Sequence, residues 1–175
     1  MAVSLRRVAS ASSAAFRRVN RLYARAFPAC ERFSLARQAK ALGDARYRLC
    51  EVRCGREFAG FGSWWNFGKA IHIEFLAVCG KLRRRGLGSA VVRRLLSRFG
   101  GKRVWLLAEL PSKSRLARRR IGFYERLGFR VNPFRYYARL PAGRRLTFAV
   151  LSHGRSVSSR EFNEYLRLLK TRPGG

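Results

Sequence analysis

Residues 75 to 96 read "FLAVCGKLRRRGLGSAVVRRLL", from Phe75 to Leu96. An apolar run ends at Val78, three arginines follow at Arg83, Arg84 and Arg85, and Gly86-Leu87-Gly88 leads into a segment with helical spacing. Leu87, Val91, Leu95 and Phe99 step by four with Val92 and Leu96 beside them, while Arg93, Arg94 and Arg98 fall opposite, the pattern of an amphipathic helix. The stretch therefore predicts strand, glycine turn and helix in that order. A turn of this kind at a helix mouth points successive backbone N–H groups into one concavity, which binds phosphate. Gly86 and Gly88 carry no Cβ to block a close approach, and Ser89 and Ala90 keep the first helical turn open. No Gly-Lys-Ser/Thr follows, so the P-loop string is absent.

Upstream, "AIHIEFLAV" reads as a strand with Ile71, Ile73, Phe75 and Ala77 on one face and His72, Glu74, Leu76 and Val78 on the other. Both faces are mostly apolar, which predicts a central place in a sheet. "VSLRRV" predicts a first strand, and Phe16, Val19, Leu22, Tyr23 and Ala26 a first helix that ends before Pro28. Phe33, Leu35, Ala36, Ala39 and Leu42 predict a shorter second helix, and two strands should turn about Gly55. Downstream, "RVWLLAEL" predicts another buried strand. A helix over 112–127 should carry Leu116, Ile121, Tyr124 and Leu127 inward and stop at Gly128. Two late strands around "PAG" and a last helix with Ser158 and Glu161 spaced as a capping box complete the order. The expectation is a mixed α/β (α+β) fold in a single domain over residues 1–175, with strands grouped early and late.

Thirteen Phe, three Trp and six Tyr in 175 residues are enough for a core, so disorder is not expected despite a net charge of +30. That charge attracts polyanions and speeds the arrival of anionic ligands. It is read either as a decorated surface or as a role in binding nucleic acid. The longest uncharged stretch, 58–68, is far below the roughly 20 residues of a membrane span, so no membrane partner is expected and the reading is of a soluble, cytoplasmic protein. The Arg- and Ser-rich start resembles a transit peptide, but its strand and helix patterns favour structure. Four cysteines without CxxC and only two histidines draw no metal site; Cys50 and Cys54 should be small apolar residues on one strand face.

The glycine turn Arg83-Arg84-Arg85-Gly86-Leu87-Gly88 resembles the R/Q-x-x-G-x-G/A string in motif A of the GNAT acetyltransferases. "RRRIGFYERLGF" is similar to the segment that closes the acetyl-CoA site in that family. "LYARAFPACER", "IEFLAV" and "RYYARLP" extend the likeness, to a bacterial subgroup, over roughly residues 3–170. The resemblance implies a central, mostly antiparallel twisted sheet flanked by helices, with motif A over 71–99 and the tyrosine segment over 112–129. It implies acetyl-CoA as co-substrate, no metal, and an amine acceptor of unknown kind, small molecule or protein. Arg83, Arg84, Arg85, Gly86, Leu87, Gly88 and Ser89 would hold the pyrophosphate, and the backbone of Ala77 and Val78 the pantetheine arm. Tyr124 would be the acid that protonates the departing thiolate. For the base, Glu74 is the first candidate, because a carboxylate in an apolar strand needs either a partner or a raised pKa. Glu109 is the reserve, and His72 is expected to be a satisfied or rim histidine. Leu107 and Ala138-Arg139 depart from the subgroup's pattern where the acceptor should bind. The alternative is a basic nucleic-acid- or ribosome-associated protein on this fold with reduced or no catalysis.

Overall fold

The N-terminal segment folds as its alternation implies: in a computed structural model, which describes residues 3–82, 86–139 and 145–173, Val3–Arg7 is the edge strand β1. Helix α1 (Ala14–Ala26) starts where the Ser13 side chain accepts the Phe16 N–H at 3.1 Å, and it ends before Pro28. A single 3-10 turn, Ala29–Glu31, precedes α2 (Leu35–Leu42). This is the expected second helix; Ala41 is its buried residue, and Leu35 is 63% exposed.

Strands β2 (Tyr47–Cys54) and β3 (Glu57–Asn66) form the expected hairpin about Gly55. Cys50 and Cys54 share one face with Val52, and no disulfide joins Cys30, Cys50, Cys54 or Cys79 to another described cysteine. Strand β4 (Ala70–Val78) leads through a 3-10 turn, Gly80–Leu82, to α3 (Leu87–Phe99) and β5 (Arg103–Glu109). Helix α4 (Arg115–Glu125), β6 (Phe129–Arg139), β7 (Arg145–His153) and α5 (Ser159–Lys170) follow. Ser158 and Glu161 form the capping box on α5. The "PAG" turn, at 141–143, lies outside the described residues.

Among the described residues seven strands make one sheet in the order β1-β2-β3-β4-β5-β7-β6, antiparallel throughout except for β4 beside β5. Helices α3 and α4 cover one face, packing Leu87, Val91, Leu95, Ile121 and Tyr124 against Val52, Ile73 and Leu106. Helices α1 and α2 cover the other face over β2 and β3, and α5 covers it over β5 and β7. Five side chains of α3 are buried, each contributing about 1.5–3 kcal/mol, and they fix the start of that helix against the sheet. No helix of the described residues is long and apolar enough to cross a membrane.

Two expectations need correction. Helix α4 begins at Arg115, not residue 112, because the Ser114 side chain accepts the Ala117 N–H at 3.0 Å and sets the cap there. Ala117 then takes the inward position and Leu116 is 63% exposed; the helix closes at Glu125, ahead of the buried Leu127 and of Gly128 at φ +86°. In β4 the alternation does not run through. The register against β3 passes from Ile73↔Trp64 to Phe75↔Ser63, so Glu74 is the extra residue of a β-bulge. Ile71 and Ile73 therefore share the α3/α4 face with Leu76 and Val78, while Phe75 and Ala77 pack with α1 and α2.

Candidate active site

The bulge at Glu74 coincides with the end of pairing between β4 and β5, whose last partners are Ile73 and Leu106. Beyond that point the two strands part. A cleft of about 1490 Å3 opens between them, lined by residues 72–78 of β4 and 106–109 of β5. A single-ligand pocket usually measures roughly 300–1,000 Å3, so this cleft has room for two reactants. Where the strands have parted, the β5-side edge of Glu74 to Ala77 carries no ladder partner among the described residues.

The first turn of α3 contributes to the wall of the cleft. Arg83, Arg84 and Arg85 lie outside the described residues. Gly86 is the N-cap at φ +72°, a left-handed conformation that L side chains rarely adopt, and no side chain caps this helix. The first helical bond runs from the Ala90 N–H to the Gly86 carbonyl at 3.0 Å, so the N–H groups of Leu87, Gly88 and Ser89 have no acceptor within the helix. Leu87 is core, at 1% exposed. Gly88 lines the cleft, and a Cβ there would meet the Phe123 ring at 3.4 Å. Ser89 is half-buried.

Tyr124, on α4, reaches the cleft from the α3/α4 face and sits edge-on to Phe123 and Phe129. Burial pushes its pKa up to about 12, against the opposing charge of Arg120, so the phenol keeps its proton.

The carboxylates come from the opposite face. Glu74 is buried with both oxygens engaged: Arg172 donates to Oε1 at 2.7 Å and the Trp65 indole to Oε2 at 3.0 Å. Burial pushes its pKa up, while Arg172, the Trp65 hydrogen bond and Arg37 pull it down. Glu109, at the end of β5, lines the cleft, and no hydrogen bond or ion pair to its side chain is present among the described residues. It acts on Glu31, from the turn after α1: burial raises the Glu31 pKa, Arg120 opposes, and the Glu109 charge adds to the rise. His72 lies deeper, its Nδ1 2.8 Å from the Tyr165 hydroxyl, with its pKa held well below the usual value by burial. Among the described residues no group of three His, Cys, Asp or Glu side chains could hold a metal ion.

The fold thus brings Tyr124, Glu74, Ala77, Val78, Gly88 and Glu109 to one cleft. Leu107 and Ala138 line it too. Sequence reasoning missed three contributors: Glu31, Arg37 and Arg172. Arg172 is 98 positions from the carboxylate it meets, beyond the reach of any local pattern. Glu31 left one usable signal, as one of only nine acidic residues and just past a helix-ending proline.

The sequence matches the family described as "Acetyltransferase (GNAT) domain" over residues 44–131, just over half of the chain. Among curated proteins there is no match. Among solved structures the chain is similar to a GNAT-family protein from Bacteroides thetaiotaomicron, with TM-score 0.82 and 22% identity over 94% of this chain and 93% of that one. It is similar to the ribosomal-protein-S18-alanine N-acetyltransferase of Escherichia coli, with TM-score 0.64 and 20% identity over 90% and 97% of the two chains. Arabidopsis thaliana Naa50, in complex with the bisubstrate analogue CoA-Ac-MVNAL, gives TM-score 0.64 and 17% identity over 89% and 100%. At these identities the likeness concerns the fold.

Proposed function

The chain belongs to the GNAT acetyltransferase family, and from that premise we propose that it transfers an acetyl group from acetyl-CoA to a primary amine by direct attack. The whole chain, 1–175, acts as one acetyltransferase domain, with motif A over 71–99 and the tyrosine segment over 112–129. The observation that carries the reading is the cleft between β4 and β5, lined by Gly88 from the first turn of the glycine-capped α3 and by the protonated phenol of Tyr124.

The turn from Arg83 to Gly88 and the first N–H groups of α3, through Ser89, hold the pyrophosphate, helped by the helix dipole. The backbone of Ala77 and Val78 meets the pantetheine arm along the edge that β5 has left. The co-substrate supplies an activated thioester. Glu109 takes a proton from the acceptor ammonium, and the freed amine nitrogen attacks the thioester carbon. As the C–N bond forms and the C–S bond breaks, Tyr124 gives its proton to the sulfur, the attacking nitrogen releases its second proton to the tyrosinate, and the products are an amide and coenzyme A. Glu109 is preferred over Glu74 because a proton on Glu74 would leave the buried Arg172 guanidinium uncompensated. Glu74 instead positions the bulged strand.

An amine panel followed by thiol release tests this. Wild type should release coenzyme A in an acceptor-dependent way. Tyr124→Phe, which preserves packing, and Glu109→Gln should each lower kcat by about 10²-fold or more. Glu74→Gln should disturb stability more than the pH profile of kcat/KM. Undiminished turnover in Tyr124→Phe and Glu109→Gln would overturn the assignment.

A further inference from the structure

On the acceptor side of the sheet, one guanidinium lacks what its neighbours have. Arg37, on α2, is half-buried in the cleft wall and lies over the Phe33 ring, with 3.6 Å from its central carbon to the ring centroid. Among the described residues no hydrogen bond or ion pair reaches its side chain. Of the other cleft arginines, Arg32 donates to the Ala24 carbonyl, Arg135 to those of Asn132 and Phe134, and Arg172 to Glu74, whereas Arg119 and Arg120, on α4 at the opposite face, have no such partner among the described residues. The carboxylate whose charge acts most strongly on Arg37 is Glu74, and both of its oxygens are already taken. Glu74 and Arg172 cancel, so Arg37 is a surplus positive charge in a partly desolvated wall.

With its central carbon held over the Phe33 ring and no partner for its N–H groups among the described residues, the guanidinium can receive an oxyanion with two parallel hydrogen bonds. Tyr136, from β6, lines the same cleft and lies close enough for its charge state to bear on Arg37. The carboxylates Glu31 and Glu109, two negative charges against the one of Arg120 beside Glu31, supply the complementary negative end. An acceptor with an ammonium at one end and an oxyanion at the other satisfies both.

Resting on the acetyl-transfer reading, we infer that Arg37 is the oxyanion subsite for the acceptor, so that the amine acetylated also carries a carboxylate. The ammonium end lies toward Glu31 and Glu109.

The test compares matched acceptors: glutamate, glutamine 1-amide without any carboxylate, and phosphoethanolamine. Each is assayed by thiol release with wild type, Arg37→Gln and Arg37→Lys. Glutarate, which has carboxylates and no amine, is titrated separately by NMR so that binding is read without turnover. Wild type should favour glutamate over the diamide by about tenfold or more in kcat/KM. Arg37→Gln should collapse that ratio toward one through KM, Arg37→Lys should keep part of it, and glutarate affinity should fall about tenfold in Arg37→Gln. A wild-type ratio near one, a ratio that survives in Arg37→Gln, or a preference for phosphoethanolamine over glutamate overturns the carboxylate subsite. If no amine is acetylated by any variant, the acetyl-transfer reading fails, and glutarate alone decides the subsite: weakened binding in Arg37→Gln upholds it and unchanged binding overturns it.

Discussion

Glu74 survives in a nearly dry strand because two donors meet it, Arg172 at 2.7 Å and the Trp65 indole at 3.0 Å. Both ionic side chains are almost fully buried, at 6% and 7% exposed, so neither charge can fall back on water if the other is removed. Breaking such a pair from one side costs about 3–5 kcal/mol, far more than an exposed ion pair is worth. Arg172→Leu should therefore lower the unfolding free energy by about that amount. The double variant Arg172→Leu/Glu74→Leu should recover much of the loss, as read from urea unfolding midpoints. Equal and additive losses would mean that the pair is not coupled. The oddity of Glu74 is visible in the sequence, since an acid interrupts "AIHI-FLAV"; its resolution is not, because the partner follows the last helix.

At the scale of elements, helix starts follow from single hydroxyls: Ser13, Ser34, Ser114 and Ser158 each accept the N–H three residues on. That is why helix order is legible in the sequence, and why overlooking Ser114 displaced α4 and its expected inward residue. The bulge at Glu74 is a different kind of failure. Alternation has period two, and an extra residue leaves no compositional mark, so the faces of Phe75, Leu76, Ala77 and Val78 come out reversed. Yet this bulge marks where β4 leaves β5 and so makes the cleft. The cap of α5 gives a pH test. Glu161 is held at about 2, below the ordinary 4.5, chiefly by Arg155 and the Ser158 N–H. A depressed carboxylate stabilises the fold above its unfolded pKa and loses that contribution as pH falls through its folded one. Relative to wild type, Glu161→Gln should be less stable at neutral pH, and the difference in thermal midpoint should shrink from about pH 4.5 and vanish near pH 2. A difference independent of pH would refute the cap's electrostatic part.

Across the whole molecule the sheet divides the chemistry. The glycine turn and Tyr124 belong to the α3/α4 face, whereas Glu31, Arg37 and Arg172 come from the turn after α1, from α2 and from the segment after α5 on the other; the parted strands connect the two. The proposed donor half is legible because its residues lie within short, ordered motifs. The proposed acceptor half is assembled from distant segments, such as Arg37 and Tyr136, 99 positions apart, and only the fold brings them together. A net charge of +30 surrounds both and favours arrival of an anionic co-substrate, an advantage that salt screens. The most direct test of the central claim is a calorimetric titration of acetyl-CoA into wild type and Gly86→Asp. Aspartate tolerates the left-handed backbone better than most residues, so the turn should persist while its charge opposes the pyrophosphate. Wild type should bind one equivalent with a dissociation constant between about 1 μM and 1 mM, and Gly86→Asp should bind about tenfold or more weakly. No binding by wild type, or equal binding by a folded Gly86→Asp, would contradict it.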